Sequence, residues 1–285
     1  MNNQISEFKI DAYSPQEMAE RVEKIGVAKA KLDFWTLLAL GILAGAFISL
    51  GAVFSTLIIH DSKLSFGLTQ LMGGVAFSLG LILVIVGGAE LFTGNALITM
   101  AFASKKIGLR QLLRNWLVVY IGNFIGALTM VIWIYLSRHW TMNQYLVGAK
   151  AVLIANAKVN LGFMEALVKG ILCNALVCLA VWLCFSGRNV VDKIFAIVFP
   201  VSAFVACGFE HSIANMYFIP LGILLKNNPT VLSATTILTD KEVLFNNLTV
   251  RNFLIRNLIP VTLGNIIGGV ILVALIYWFV YLRKD

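Results

Sequence analysis

Four stretches of this chain, residues 34–60, 64–89, 115–137 and 257–282, run without a single Asp, Glu, Lys or Arg. At about 1.5 Å of rise per residue, each is long enough as a helix to cross the roughly 30 Å of hydrocarbon in a bilayer. Lipid offers no partner to backbone polar groups, so such segments cross as helices, and the expected fold is an all-α polytopic membrane protein. Two less regular runs bring the count to six: 170–187, bounded by Lys169 and Arg188, and 194–225, apolar except around Glu210-His211. The composition, 59% hydrophobic against 13% charged, fits that class and no ordinary soluble domain. A formal charge of +8 does not mark a nucleic-acid binder, because the basic residues are scattered between apolar runs.

Two polar interruptions share the spacing E-x4-N, Glu90-Leu-Phe-Thr-Gly-Asn95 and Glu210-His-Ser-Ile-Ala-Asn215, and lie 120 residues apart. Each is followed by a near-identical segment, Gly122-Asn-Phe-Ile-Gly126 and Gly264-Asn-Ile-Ile-Gly268, 142 residues apart. The chain therefore reads as two related halves, the second longer by 22 residues, with Asn227 to Asn252 as the inserted outer loop carrying a short helix. An odd number of spans per half requires opposite insertion of the halves, a three-plus-three inverted repeat that brings the two interruptions together near the midplane. Thr93 and Gly94 are residues that leave helical geometry readily, so Leu91-Phe92-Thr93 is expected to be a re-entrant or pore-lining loop inside a broken helix. His211 is the leading pore residue of the second half. Glu90, Asn95, Glu210 and Asn215 are read as supports, the two carboxylates accepting from loose backbone donors at the breaks.

The amino terminus shows no signal-peptide pattern. Ser14-Pro15-Gln16-Glu17 reads as a capping box, opening a helix over 15–31 along the membrane surface, so the chain is taken as one membrane-embedded domain, 1–285, with 1–33 as a cytoplasmic or interfacial segment. With both termini cytoplasmic, Lys9, Arg21, Lys24, Lys29 and Lys31, Lys105, Lys106, Arg110 and Arg114, Arg188 and Lys193, and Arg283 and Lys284 fall inside, and the first outer loop holds Lys63 alone. Cys173, Cys178, Cys184 and Cys207 have neither zinc nor redox spacing and are read as packing residues. The six tryptophans are read as interface anchors and lipid contacts.

At Leu91-Phe92-Thr93 and Gly208-Phe-Glu-His-Ser-Ile-Ala-Asn-Met216 the chain resembles the formate/nitrite transporter family, and Leu172-Cys-Asn174, Ser186-Gly-Arg188 and Ile259-Pro-Val-Thr-Leu-Gly-Asn265 extend the likeness over most of residues 10–283. The resemblance implies an aquaporin-like six-helix subunit with its own pore, assembled as a homopentamer in the bacterial inner membrane. Thr93 and His211 then look like the central pore pair, Leu91 and Phe204 like the outward constriction, and Phe77 and Leu81 like the inward one; Phe92 is counted with the constrictions. Lys158 resembles the family's anion-attracting lysine, Lys29 matches a second basic position, and Asn174 looks like a partner near the inward slit. The family spans formate, nitrite and hydrosulfide. The second loop looks most like the formate subgroup, whereas Thr93-Gly94 departs from its usual Thr-Ser and leans toward the nitrite and hydrosulfide groups.

This reading gives a small monovalent weak-acid anion as substrate, most like formate, and nitrite or hydrosulfide as the alternative. Lys158 draws the anion in, Thr93 and His211 hydrogen-bond it, and a histidinium or a proton passed to the anion lowers the charge that must cross the next apolar ring. No metal or cofactor is expected. A membrane enzyme or haem subunit would need clustered acids or several ligating histidines, but His60 and His139 lie near span ends, far from a haem pair. A water or glycerol channel would carry paired Asn-Pro-Ala motifs, which these interruptions lack.

Overall fold

The computed structural model describes residues 12–283; Lys9 and Lys284, counted above toward orientation, lie outside them. Among the described residues there is no strand. The chain runs as α1 (Pro15–Ala30), α2 (Phe34–Ile59), α3 (Phe66–Gly87), α4 (Gly94–Ala103), α5 (Leu109–Leu136), α6 (Leu146–Val159), α7 (Phe163–Cys184), α8 (Val190–Ala206), α9 (Ser212–Leu225), α10 (Pro229–Thr239) and α11 (Val250–Tyr281). Five of these, α2, α3, α5, α7 and α11, are long and apolar enough to cross a membrane. Helix α8, at 17 residues with Pro200 inside, is shorter. The inserted segment does hold a short helix, α10, which Asn228 caps through Thr230 N–H and Val231 N–H.

The ends are set by local chemistry. Ser14 and Glu17 form the expected capping box at α1, and Asp33 caps α2 through the amides of Trp35 and Thr36. Helix α7 begins earlier than the apolar run suggests, at Phe163, because Lys169 pairs with Glu165 one turn before it, 2.7 Å apart. Helix α1 does more than lie on a surface: Val22, Gly26 and Ala30 are buried, and a Cβ on Gly26 would press on Ala101 of α4 at 3.2 Å.

Packing repeats between the halves. Helix α2 lies against α5 and α3; α7 lies against α11 and α8; α1 covers α4 as α6 covers α9. The glycines of the two GN(F/I)IG segments allow the closest of these approaches. A Cβ on Gly126 would strike the carbonyl of Ile42, and one on Gly268 that of Ile171. One apolar cluster runs through the middle and includes Phe77, Leu81, Leu91, Phe92 and Phe204.

Candidate functional site

Helix α3 is followed by Gly88 and α8, past Cys207, by Gly208, both in the left-handed region with φ of 81° and 67°, a conformation that favours glycine. Short coil follows in each case before α4 and α9 begin, so backbone amides are left free of helical bonds deep in the protein. The amides of Glu90 and Glu210 go to the carbonyls of Leu40 and Lys169, and one further amide in each loop goes to the asparagine of a GN(F/I)IG segment. Asn123 accepts from Phe92 N–H at 2.9 Å and donates to the carbonyls of Gly41 and Glu90 at 2.8 and 2.9 Å. Asn265 accepts from Ser212 N–H at 2.9 Å and donates to those of Gly170 and Glu210 at 2.8 and 2.9 Å.

The supporting carboxylates therefore do something other than expected. Glu90 takes an ion pair from Lys29 at 2.9 Å and a hydrogen bond from the Asn95 amide at 2.7 Å. Glu210 takes its ion pair from Lys158 at 2.7 Å and hydrogen bonds from Asn215 at 2.7 Å and Asn257 at 3.2 Å. Neither bonds a loose backbone donor among the described residues, since asparagines and backbone carbonyls take those amides. Asn115 and Asn257 close the frame, accepting from Asn95 and Asn215 and donating to the carbonyls of Lys29 and Lys158.

Inside this frame Thr93 Oγ1 and His211 Nε2 lie 2.9 Å apart, both residues buried. The geometry assigns the tautomer. His211 Nδ1 accepts the Ala214 N–H at 3.1 Å as the side-chain cap of α9, so Nε2 carries the proton and donates to Thr93 Oγ1. The Thr93 hydroxyl is then left with its own proton to donate. No proton fits on Nδ1 while the cap bond stands, which makes a neutral imidazole, not a histidinium, the form this arrangement holds. Asn174 Nδ2 at 3.2 Å and the Cys178 thiol at 3.4 Å both donate to the Thr93 carbonyl and fix the loop. Cys207, in contrast to the other three cysteines, is exposed.

Two cavities flank the pair. One, of about 260 Å³, is lined by Arg21, Lys29, Glu90, Asn95 and Lys193; the other, of about 300 Å³, by Lys150, Lys158, Glu210, His211, Phe77 and Phe204. Leu81, Leu91 and Thr93 line neither and are buried. Two sequence-based placements change. Phe77 does not stand on the opposite side from Phe204: the rings meet edge to face at 5.8 Å on the Lys158 cavity, because α3 and α8 pack directly together. Phe92 lines neither cavity, and its ring turns onto α5 against Tyr120 at 4.8 Å and Trp116 at 6.2 Å. The site roles of Asn115, Asn123, Asn257 and Asn265 escaped the sequence reading, and Cys178 was read there as a packing residue only. The asparagines carried a signal, since both pairs keep the 142-residue offset of the glycines beside them.

Buried charge pairs, a buried polar pair and apolar helices of spanning length define a helical membrane transport protein. The chain belongs to the formate/nitrite transporter family, whose profile matches residues 16–279. It is 46% identical over 276 residues to the formate channel FocA of Escherichia coli strain K12, covering 96% of each chain. It is 40% identical to the formate channel FocA of Haemophilus influenzae, covering 91% of this chain and 92% of that one. Among solved structures it superposes on a pentameric formate channel with formate bound, with a TM-score of 0.80 at 41% identity over 88% of this chain and 98% of that one. An ion channel of the same family gives 0.79 at 25% identity, over 93% and 98%. These relatives are channels, in keeping with a chain that is not an enzyme.

Proposed function

We propose that this protein conducts small monovalent weak-acid anions, formate first among them, through each subunit of a homopentamer. The observation that carries the reading is the buried Thr93–His211 hydrogen bond, with one lysine–glutamate cavity on each side. The relatives named for formate support the substrate. In this reading the single domain, 1–285, crosses a bacterial inner membrane six times, both termini are cytoplasmic, and residues 1–33 lie at the inner face. Helices α3–α4 and α8–α9 are the two broken spans of an inverted repeat, which the matching asparagine frames support.

An anion reaching the centre must leave its hydration water, and this costs several kcal/mol or more unless hydrogen bonds replace it. Lys158 and, on the other side, Lys29 lower the first part of that cost. Phe204 and Leu91, with Phe77 and Leu81, exclude water from the middle. The Thr93 hydroxyl, its oxygen already occupied by His211 Nε2–H, is polarised toward donation to the anion, and a weak-acid anion is neutralised there when a proton from solvent enters at His211 Nδ1, freed from its cap bond, and the Nε2 proton passes through Thr93 to the anion, leaving a neutral imidazole. Sulfate and phosphate are excluded by charge. Gly94 favours the alternative reading of nitrite or hydrosulfide. A Cβ there meets only Val181, at 3.5 Å, so the position has room for the serine of the formate pattern.

Flux of formate, nitrite and hydrosulfide into proteoliposomes across external pH, for wild type, His211→Asn and His211→Ala, tests this. Asn keeps an acceptor for Ala214 N–H, so it preserves the α9 cap while removing the link to Thr93; Ala loses both and is about 1 kcal/mol less stable. Fastest formate flux in wild type, with its pH response lost in both variants, supports the reading. Faster nitrite or hydrosulfide flux moves the substrate, and an unchanged pH response returns His211 to a capping role.

A further inference from the structure

The cavity on the Lys158 side contains a cation that the mechanism above does not use. Four charged side chains line it: Lys150, Lys158, Lys169 and Glu210. Lys158 is taken by Glu210 and Lys169 by Glu165, each at 2.7 Å. Lys150 has no carboxylate within ion-pair distance among the described residues, although it is half-buried on α6. Its burial alone holds the ammonium below the usual lysine range. The charge of Lys158 is thus offset in part by Glu210, and Lys150 is the cation of this cavity that has no carboxylate against it among the described residues.

The repeat supplies an independent observation. Lys29 and Lys158 are 129 residues apart, as are the carbonyls of Gly41 and Gly170 that Asn123 and Asn265 hold. The same offset pairs Lys150 with Arg21, and Arg21 lines the opposite cavity. Both halves therefore place a cation two helical turns before the paired lysine, at the rim of the cavity. The two differ in cover: the Arg21 guanidinium lies over the Tyr13 ring at 3.8 Å, whereas no ring among the described residues lies over Lys150.

We propose that Lys150, with Gln70 on the same cavity wall, forms an anion-binding subsite at the mouth, which captures the monovalent substrate before it reaches Phe77 and Phe204. The cavity, about 300 Å³, has space for a small anion with part of its hydration shell. The subsite sets how much anion waits at the constriction and leaves the passage itself to Thr93 and His211. It rests on the anion-channel reading.

The test uses the full chain in proteoliposomes, with formate supplied to the α6 face or to the opposite face. Lys150→Gln is expected to raise the half-saturating formate concentration on the α6 face about three- to tenfold, with maximal flux changed by less than about twofold. Lys150→Glu raises it further, Lys150→Arg stays near wild type, and the differences shrink as salt rises from about 20 to 300 mM. Unchanged half-saturation in both Gln and Glu variants at low salt overturns the subsite. A second readout needs no transport: labelling of Lys150 by trinitrobenzenesulfonate, followed by mass spectrometry, is slowed by formate if the subsite exists and proceeds at the same rate with and without formate if it does not. A wild type that moves none of the three anions while formate still protects Lys150 would sink the channel reading and leave the subsite standing.

Discussion

Around Glu90 and around Glu210 the same parts recur in the same bonds. Each has a lysine on the carboxylate, an asparagine five residues later on its other oxygen, a second asparagine closing that amide, and a third holding the loop backbone. The buried Thr93–His211 pair does not follow this pattern. With the 120-residue offset of the interruptions, His211 corresponds to Leu91 and Thr93 to Ile213. Each half thus contributes one polar and one apolar residue at different steps of its loop, and the Thr93–His211 bond exists because the repeat fails there. Two histidines or two threonines related by the pseudo-axis would give a wetter, symmetric centre. The lysines differ as well: Lys29 also donates to Asn95 Oδ1 at 3.1 Å, whereas Asn215 Oδ1 has no hydrogen-bond partner among the described residues. The frame is common to both halves, and the chemistry sits in the departures from it.

The largest effect should come from the frame. Asn123→Leu and Asn265→Leu each remove the partner of three buried backbone groups, at about 1–3 kcal/mol per group, so each variant is expected to lose about 3–9 kcal/mol and most of its folded yield. Thermal unfolding in detergent, followed by size-exclusion chromatography, reads this directly. Comparable losses would support equivalent roles; a wild-type melting curve for either variant would end the claim that the two halves depend on the same device.

Next come the ion pairs. Removing one partner of a buried pair costs about 3–5 kcal/mol, because the other charge is left alone. The side chain of Lys158 is 15% exposed and that of Lys29 is 30%, so Lys158→Met should destabilise more than Lys29→Met. Glu210→Gln places an amide among three donors, from Lys158, Asn215 and Asn257, and should reduce folded yield more than it alters the ratio of formate to nitrite flux. If selectivity moves and yield does not, Glu210 acts on the anion and the supporting role is lost.

The helical membrane class was legible from the charge-free runs, because lipid leaves so little choice of backbone. The pairing of Thr93 with His211 was also within reach, through the two interruptions and the family likeness. What escaped was side-chain direction. Phe92 and Phe77 are as apolar as any pore residue, and only the packing of α5 and α8 decides which way their rings turn. The asparagines were passed over for a different reason: in an apolar run the glycines explain close helix approach, and nothing local says that the asparagine between them serves a loop some thirty or more residues earlier in sequence, with |i−j| of 31 for Asn123 and 53 for Asn265.

The smallest of the matched effects is the sharpest comparison. Gly88 and Gly208 both take positive φ, and a Cβ built on either meets no atom within 4 Å, so substitution there adds backbone strain without a clash. Left-handed geometry costs an L-residue about 1–2 kcal/mol, and asparagine bears it more easily than alanine. Gly88→Ala and Gly208→Ala should therefore lower stability by the same amount within error, with Gly→Asn milder at both positions. Gly88 lines the Lys29 cavity and Gly208 the Lys158 cavity, where the added methyl meets no atom, so any loss of flux should follow the loss of folded protein. A drop in flux per folded channel in Gly208→Ala alone would mean that the α8–α9 break also places His211 for conduction. In that case the two breaks, alike in backbone, would have been set to different tasks by the residues that follow them.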